Sequence, residues 1–179
     1  MNNFNLLISS PRYNEINAKA ELWFTLLICG DKYPIISDLE FQGLITALTS
    51  INEFDIIEKI KNILLTDPYF YRYILRITPI QFLCETDIQI IKDTIENNIH
   101  KYLKENESFR IILNRRKNKL IKREDFIPII AKIIENPVDL DNPDKIIQIE
   151  MLDNICGISF LNQEDIIKPT NVFIKTTPT

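Results

Sequence analysis

Glycine is scarce in this chain, and its scarcity limits the sites that the chain can build. Only three glycines occur among the 179 residues: Gly30, Gly43 and Gly157. The dinucleotide-binding fingerprint G-x-G-x-x-G and the P-loop G-x-x-x-x-G-K-[ST] need closely spaced glycines that let the backbone approach a phosphate. Neither motif can be written here, and the same count excludes a Gly-rich S-adenosylmethionine loop. The sequence therefore excludes enzymes that depend on those cofactor loops.

The composition is that of a soluble globular protein, with 45% hydrophobic and 26% charged residues. No apolar stretch approaches the roughly 18 residues that a membrane span needs. The first fifteen or so residues lack the positive region and long apolar run of a signal peptide. We expect a cytoplasmic protein that does not bind membranes.

Residues that commonly carry catalysis or metal binding are few. Cys29, Cys84 and Cys156 are odd in number and far apart, which favours buried free thiols over disulfides. The only histidine, His100, falls late in an amphipathic helix, where a solvated role is expected. The carboxylates of DLDNPD (residues 139–144) are typical of a polar turn. We expect no catalytic residue, no metal and no cofactor.

The first half of the chain predicts a ferredoxin-like domain. Apolar periodicity gives strands over residues 4–9, 33–37, 44–48 and 70–77, and helices over 15–29 and 53–65. This is the β-α-β-β-α-β order of ferredoxin-like folds. In the first helix, Ile16, Ala20, Trp23 and Leu27 form one apolar stripe, which we expect to face the core, and Gly30 is expected to cap the helix.

Thr78-Pro79 interrupts the last of these strands and marks a domain junction between residues 78 and 87. The second half predicts helices over residues 87–104 and 124–135, and strands over 109–113, 145–151 and 154–161. The predicted fold is thus α/β, with domains over residues 1–80 and 81–168 and a tail over 169–179.

The most unusual feature is a basic block, residues 110–123, which holds seven Lys or Arg and no acid in a chain of net charge -4. Its densest part reads RRKNKLIKR. The block joins a predicted strand to a predicted helix start, where backbone N–H groups already favour anions. A polyanion such as nucleic acid is the favoured ligand. Two alternatives remain open: a merely solvated loop, and a membrane surface, which the lack of an apolar face disfavours.

A second basic pair, Arg72 and Arg76, lies in YRYILRI. As strand residues four apart they share one face, while Tyr71 and Tyr73 share the other with Leu75 and are expected to pack in the core.

The order of these segments resembles that of a known family. The segments are RYILRITPI (72–80), TDIQIIKDTIENNI (86–99), SFRIILNRRKNK (108–119) and VDLDNPDKIIQIEMLDNICGISF (138–160). Together they resemble a THUMP domain preceded by a ferredoxin-like domain, as in the THUMP proteins that assist tRNA cytidine acetylation.

The resemblance implies a domain that binds tRNA near the acceptor stem and 3′ end. The residues that it implies face RNA are Arg110, Arg115, Arg116, Lys117, Lys119, Lys122 and Arg123, with Arg72 and Arg76 either structural or RNA-facing. Asn142, Pro143 and Asp144 match the family's NPD turn, for which we favour a structural role. The implied partner is an RNA-modifying enzyme, the tRNA cytidine acetyltransferase.

Three functions follow. The favoured one is a noncatalytic tRNA-binding adaptor, because no fused catalytic domain is visible and the glycine count excludes cofactor loops. The alternatives are a protein-interaction scaffold with a solvated basic loop and a stand-alone RNA-modifying enzyme.

Overall fold

A computed structural model describes residues 3–117 and 121–169 and divides the chain into two units. The first unit comprises Met1–Ile80 and Asp165–Thr179, and the second comprises Gln81–Glu164. Both combine a four-stranded sheet with helices, so the predicted α/β fold is confirmed.

The first unit has the predicted β-α-β-β-α-β order. Its elements are β1 (Leu6–Ser9), α1 (Glu15–Ile28), β2 (Ile35–Asp38), β3 (Leu44–Leu48), α2 (Glu53–Thr66) and β4 (Arg76–Pro79). The sheet order is β2-β3-β1-β4 and every neighbouring pair is antiparallel. The core lies between the sheet and the two helices, with Leu6, Ile8 and Ile45 from the strands meeting Ile56 and Ile60 of α2.

Glycine is required at two positions of this unit. Gly30 follows α1 with φ +100, a left-handed conformation that ends the helix as predicted. Gly43 has φ +78, and a Cβ there would lie 2.9 Å from the carbonyl oxygen of Ser10. Its N–H donates to Oε1 of Glu15 at 2.6 Å. This bond joins the residue just before β3 to the first residue of α1.

The prediction that the stripe of Ile16, Ala20, Trp23 and Leu27 on α1 faces the core is wrong. Ile16 is 77% exposed and Trp23 is 51% exposed, and Ala20 is exposed as well. The buried residues of the helix are Ala18, Leu22, Thr25 and Leu26. Both sets recur at helical spacing because α1 is apolar on almost every side, so periodicity could not choose between its two faces.

The last predicted strand of this unit begins later than expected. Only Arg76–Pro79 is extended, and residues 70–75 form an irregular segment. The Glu21 carboxylate of α1 accepts the backbone N–H groups of Arg72, Tyr73 and Ile74 at 2.9–3.2 Å. The carboxylate thus accepts backbone hydrogen bonds that a neighbouring strand would accept if this segment were extended.

Pro79 is the last residue of β4, and the strand continues through Thr78. β4 is the last strand of the sheet order, a position where proline is tolerated. On its outer side Ile77 exchanges two backbone hydrogen bonds with Ile167, at 2.9 and 3.0 Å. The chain therefore returns to the first unit from Asp165, whereas the sequence analysis assigned residues up to 168 to the second domain. Residues 170–179 of the predicted tail lie outside the described residues.

The second unit contains β5 (Phe82–Glu85), α3 (Ile88–Tyr102), β6 (Phe109–Arg116), α4 (Arg123–Ala131), β7 (Lys145–Leu152) and β8 (Ile155–Leu161). The sheet order is β5-β8-β7-β6, with only β6 and β7 parallel. β5 was not predicted, because its four residues are all partly or fully exposed and lie where the domain junction was expected. α4 is shorter than predicted and ends at Ala131.

Helices α3 and α4 cover one face of this sheet. Ile91 and Ile95 of α3 and Phe126 of α4 are fully buried against Ile147 and Ile149 of β7. Asp87 begins α3 by accepting the N–H groups of Gln89 and Ile90 at 2.8 and 3.1 Å. Within the described residues, no helix has both the length and the apolar character that crossing a membrane requires.

The contact between Glu21 and residues 72–74 gives a testable prediction. Glu21→Ala should lower the free energy of unfolding by about 2 kcal/mol, because three backbone N–H groups lose a charged acceptor. Urea unfolding followed by circular dichroism measures it. Glu58→Ala, which removes an exposed ion pair with Lys61 on α2, is the control and should cost less than about 1 kcal/mol. An equal effect of both substitutions would contradict this role of Glu21.

Candidate nucleic-acid interface

The basic block begins inside a strand. β6 continues past its predicted end at Leu113, and Arg115 and Arg116 pair with Met151 and Leu152 of β7. The predicted placement of these two arginines in a loop is therefore wrong. Pairing with β7 fixes their backbone, so their side chains leave from a rigid element.

After the strand the chain turns towards α4. Lys117 has φ 55, which is unusual for a residue other than glycine. Lys119 lies outside the described residues. Lys122 is the extended residue before α4, and Arg123 is the first residue of that helix. Lys117, Lys122 and Arg123 are all exposed.

Five residues of the block line one recess of about 320 Å³. Its lining residues are Leu113, Asn114, Arg115, Arg116 and Arg123. Three arginines from two elements thus border the same space. Within residues 3–117 and 121–169, no ion pair involves any of these three arginines. In the described part of the chain, no carboxylate therefore lies within ion-pair distance of the recess arginines.

Arg115 also has a structural contact. Its guanidinium donates to the carbonyl oxygen of Ile121, which is buried in the core of the second unit. This bond ties the end of β6 to the chain just before α4. The backbone carbonyl of Arg116 accepts the N–H of Asp153 at 3.1 Å, which joins the same strand end to the β7–β8 turn.

A polar network that the sequence analysis missed lies beside the recess. Asn114 donates to Oε1 of Glu150 at 2.8 Å, and Gln148 donates to the same oxygen at 2.7 Å. Glu150 and Gln148 are both buried on β7. The signal was present in the sequence: two polar residues alternate with Ile in an otherwise apolar strand, KIIQIEML. Glu150 holds Asn114 in place at the edge of the recess.

The first turn of α4 carries both signs of charge. Its N-cap residue, Lys122, accepts no hydrogen bond with its side chain, so no side chain at this position caps the N–H groups of the first turn. The positive end of the helix dipole lies at the same place. Glu124 and Asp125 are exposed in the same turn and reduce the positive potential on one side of it. These two acids offset part of the charge of Lys122 and Arg123.

Arg110 differs from the rest of the block. It is partly buried and donates from Nη1 to the carbonyl oxygen of Leu140 at 3.0 Å. Arg110 lies six residues from Arg116 on β6. At about 3.3 Å per residue, this separation is roughly 20 Å. The structure therefore gives Arg110 a contact with the loop before β7 and does not place it in the recess.

The NPD turn is held by hydrogen bonds to its own neighbours. Asp139 accepts the N–H groups of Asp141 and Asn142 at 2.9 Å each. Pro143 is buried. Asp144 accepts the N–H and the hydroxyl of Ser108 at 2.8 Å each, and these bonds lower the pKa of its carboxyl group. The turn thus anchors the start of β6 on the chain before β7.

Arg72 and Arg76 belong to the first unit, not to the unit that carries the basic block. They do not share a strand face, because β4 begins only at Arg76. The Arg72 guanidinium lies 5.6 Å from the ring centroid of Tyr73, and Nε of Arg76 donates to Oγ1 of Thr78 at 3.0 Å. Tyr71 is buried in the core, as predicted.

The residues considered for catalysis are dispersed. His100 is exposed in the last turn of α3. Cys29 and Cys156 are buried free thiols as predicted, and Cys84 is only partly buried. In the described part of the chain, no three His, Cys, Asp or Glu side chains are grouped as metal ligands.

Comparison with known proteins agrees with this architecture. Residues 85–161 match the family model of the THUMP domain. This segment is therefore similar to a THUMP domain. It runs from the end of β5 to the end of β8 and so contains α3, α4 and the whole basic block.

A THUMP domain-containing protein 1 homolog of Drosophila melanogaster is 33% identical over 109 residues, which is 58% of this chain and 34% of the fly protein. The chain thus spans about a third of the length of that relative.

Two solved structures share the fold across most of the chain. The crystal structure of PH1313 from Pyrococcus horikoshii has a TM-score of 0.68 at 19% identity, covering 93% of this chain and 55% of that one. A 4-thiouridine synthetase solved with RNA and bound ATP has a TM-score of 0.52 at 14% identity, covering 89% of this chain and 42% of that one. The likeness in fold extends beyond residues 85–161 into the first unit.

The contact of Asp144 with Ser108 predicts a pH dependence. A carboxyl group whose pKa is lowered by folding stabilises the fold above its unfolded pKa of about 3.9, and this stabilisation is lost as the pH falls through the folded pKa. Asp144→Asn should therefore lower the Tm at pH 7, and the difference from the unsubstituted protein should shrink below about pH 3.9. Thermal unfolding from pH 7 to acid measures this.

Asp141→Asn is the matched control in the same turn and should change the Tm little at any pH. A difference for Asp144→Asn that stays constant across the pH range would show that the charge of Asp144 does not act through Ser108.

Proposed function

We propose that this chain is a noncatalytic tRNA-binding protein that presents the acceptor stem and 3′ end of tRNA to a partner RNA-modifying enzyme, the tRNA cytidine acetyltransferase. The observation that carries the RNA-binding part is the convergence of Arg115, Arg116 and Arg123 on one recess beside the N-terminus of α4. The adaptor part rests on the sequence resemblance and on the glycine count.

The recess suits phosphate groups. Each guanidinium presents a planar fork of N–H donors that matches two phosphate oxygens. Each phosphate that the block neutralises contributes roughly 0.7 to 0.9 to the slope of log affinity against log salt. In an acidic chain the rest of the surface repels a polyanion, so the block orients the RNA as well as binding it.

The A-form geometry of RNA limits what the recess recognises. The deep, narrow major groove hides the base edges, so a folded tRNA presents its backbone, its shape and its single-stranded 3′ end. We infer that the recess binds backbone phosphates near that end. The relation to a 4-thiouridine synthetase that was solved with RNA supports this ligand class.

A salt series tests the RNA-binding part. Arg116→Gln combined with Arg123→Gln should weaken tRNA binding and lower the salt slope by roughly 1.5, because two phosphate contacts are removed. Fluorescence anisotropy of labelled tRNA measures both quantities. Lys59→Gln combined with Lys132→Gln removes the same charge from exposed positions outside the block and should leave the slope unchanged.

Two further binding measurements test which part of the tRNA lies at the recess and whether Arg110 contacts it. Trimming the 3′ CCA end should weaken binding to the unsubstituted protein and have less effect on the arginine double variant. Arg110→Gln should lower the Tm and leave the slope unchanged, because Arg110 donates to the Leu140 carbonyl. Equal losses for the Arg116/Arg123 variant and the Lys59/Lys132 variant would contradict the recess as the RNA site and favour a scaffold with a solvated loop.

Reconstitution tests the adaptor part. Purified chain, tRNA and an acetyl donor should give no modified cytidine, and adding the acetyltransferase should give product at a rate that depends on this chain. The Arg116/Arg123 variant should restore less of that rate than the Lys59/Lys132 variant. Product formed by the chain alone would contradict a noncatalytic role, and a rate that is independent of the chain would contradict the partner assignment.

A further inference from the structure

Helix α1 presents a continuous apolar face to solvent. Ile16, Ala20, Trp23, Phe24 and Ile28 recur at spacings of three and four residues and lie on its outward side. Ile16 is 77% exposed, and Trp23, Phe24 and Ile28 are between 51% and 55% exposed. A helix that is apolar on both faces is normally buried on both. Among residues 3–117 and 121–169, nothing therefore supplies the cover that the composition of the outward face of α1 predicts.

All three charges of this helix are engaged within its own unit. Glu15 accepts the N–H of Gly43 at 2.6 Å, and Glu21 accepts the N–H groups of residues 72–74. Nζ of Lys19 lies 2.6 Å from Oδ2 of Asp38. Each charge of α1 is thus paired within the first unit, and only the Lys19–Asp38 pair borders the outward face.

The face continues onto the segment that enters β2. Pro34 and Ile36 line one shallow groove together with Lys19, Ala20, Trp23 and Phe24 of α1. Ile35 is not part of this groove, because successive residues of a strand point to opposite faces of the sheet. Residues from two elements thus form a single patch, which we call the α1 face: Ile16, Ala20, Trp23, Phe24, Ile28, Pro34 and Ile36.

The α1 face is large enough for a stable contact. A fully buried aromatic side chain covers roughly 150–250 Å², so Trp23 and Phe24 at half exposure present about 100 Å² each. With the exposed isoleucines the patch reaches roughly 500 Å², near the size of the largest apolar patch of a typical monomer. Two such patches together supply about 1,000 Å², the area that a specific interface needs.

We infer that the α1 face is the interface of a homodimer, in which a second copy of this chain covers it about a two-fold axis. A two-fold contact brings the same patch of both copies together. The Lys19–Asp38 pair is internally neutral, so two copies meet without repulsion between like charges. A different protein would have to match the patch, whereas a second copy already does.

The only tryptophan of the chain, Trp23, lies in this patch and reports on it directly. In the absence of RNA, the mass from analytical ultracentrifugation should rise from monomer to dimer with concentration. The Trp23 emission should shift to shorter wavelength and become less quenchable by acrylamide over the same range. A monomer mass with unchanged emission at every concentration would overturn the inference.

A matched pair of variants localises the contact. Ile16→Glu places a carboxylate in the patch and should raise the dimer dissociation constant at least roughly tenfold, because an unpaired charge would be desolvated. Leu65→Glu is the control: Leu65 is 81% exposed near the end of α2, against 77% for Ile16 near the start of α1. Circular dichroism should show both variants folded. A dimer weakened equally by both, or by neither, would overturn the α1 face as its interface.

Discussion

The candidate site depends on the parallel pairing of β6 with β7. Eight residues of β6, from Phe109 to Arg116, pair in register with Lys145 to Leu152. This pairing extends the strand to its last arginines and places Asn114 opposite Glu150. β7 is buried almost throughout, so the edge strand β6 takes its position from the core. The arginines at its end therefore have a fixed backbone. Less backbone conformational entropy is lost when a ligand binds to them than if they lay in a flexible loop.

The elements that the sequence predicted well are those with apolar residues on one face only. α3 buries Ile91, Ile95 and Ile99 and is mostly polar on its other side, so its pattern predicts one helix face. α1 failed because both of its faces are apolar. The irregular segment before β4 could not be predicted, because the carboxylate that holds it, Glu21, lies 51 to 53 residues away in the chain. Local periodicity carries no information on such a contact.

The same distinction applies to the candidate site. The basic block was visible from charge alone, but the roles of its members were not. Arg110 and Arg115 both donate to backbone carbonyls, of Leu140 and Ile121, because the core needs these loops fixed. Which arginine holds a loop and which faces solvent depends on tertiary contacts, so the resemblance could imply only the whole set.

The two surfaces proposed for this chain, the recess and the α1 face, respond to added salt in opposite directions. Binding at the recess releases counterions and weakens as salt rises. Burial of the α1 face is driven by the hydrophobic effect, which added sulfate strengthens. Its nearest ion pair, Lys19–Asp38, is neutral as a pair and adds little dependence on salt. Raising the sulfate concentration should therefore separate the two activities in one preparation, with RNA released while the copies stay associated.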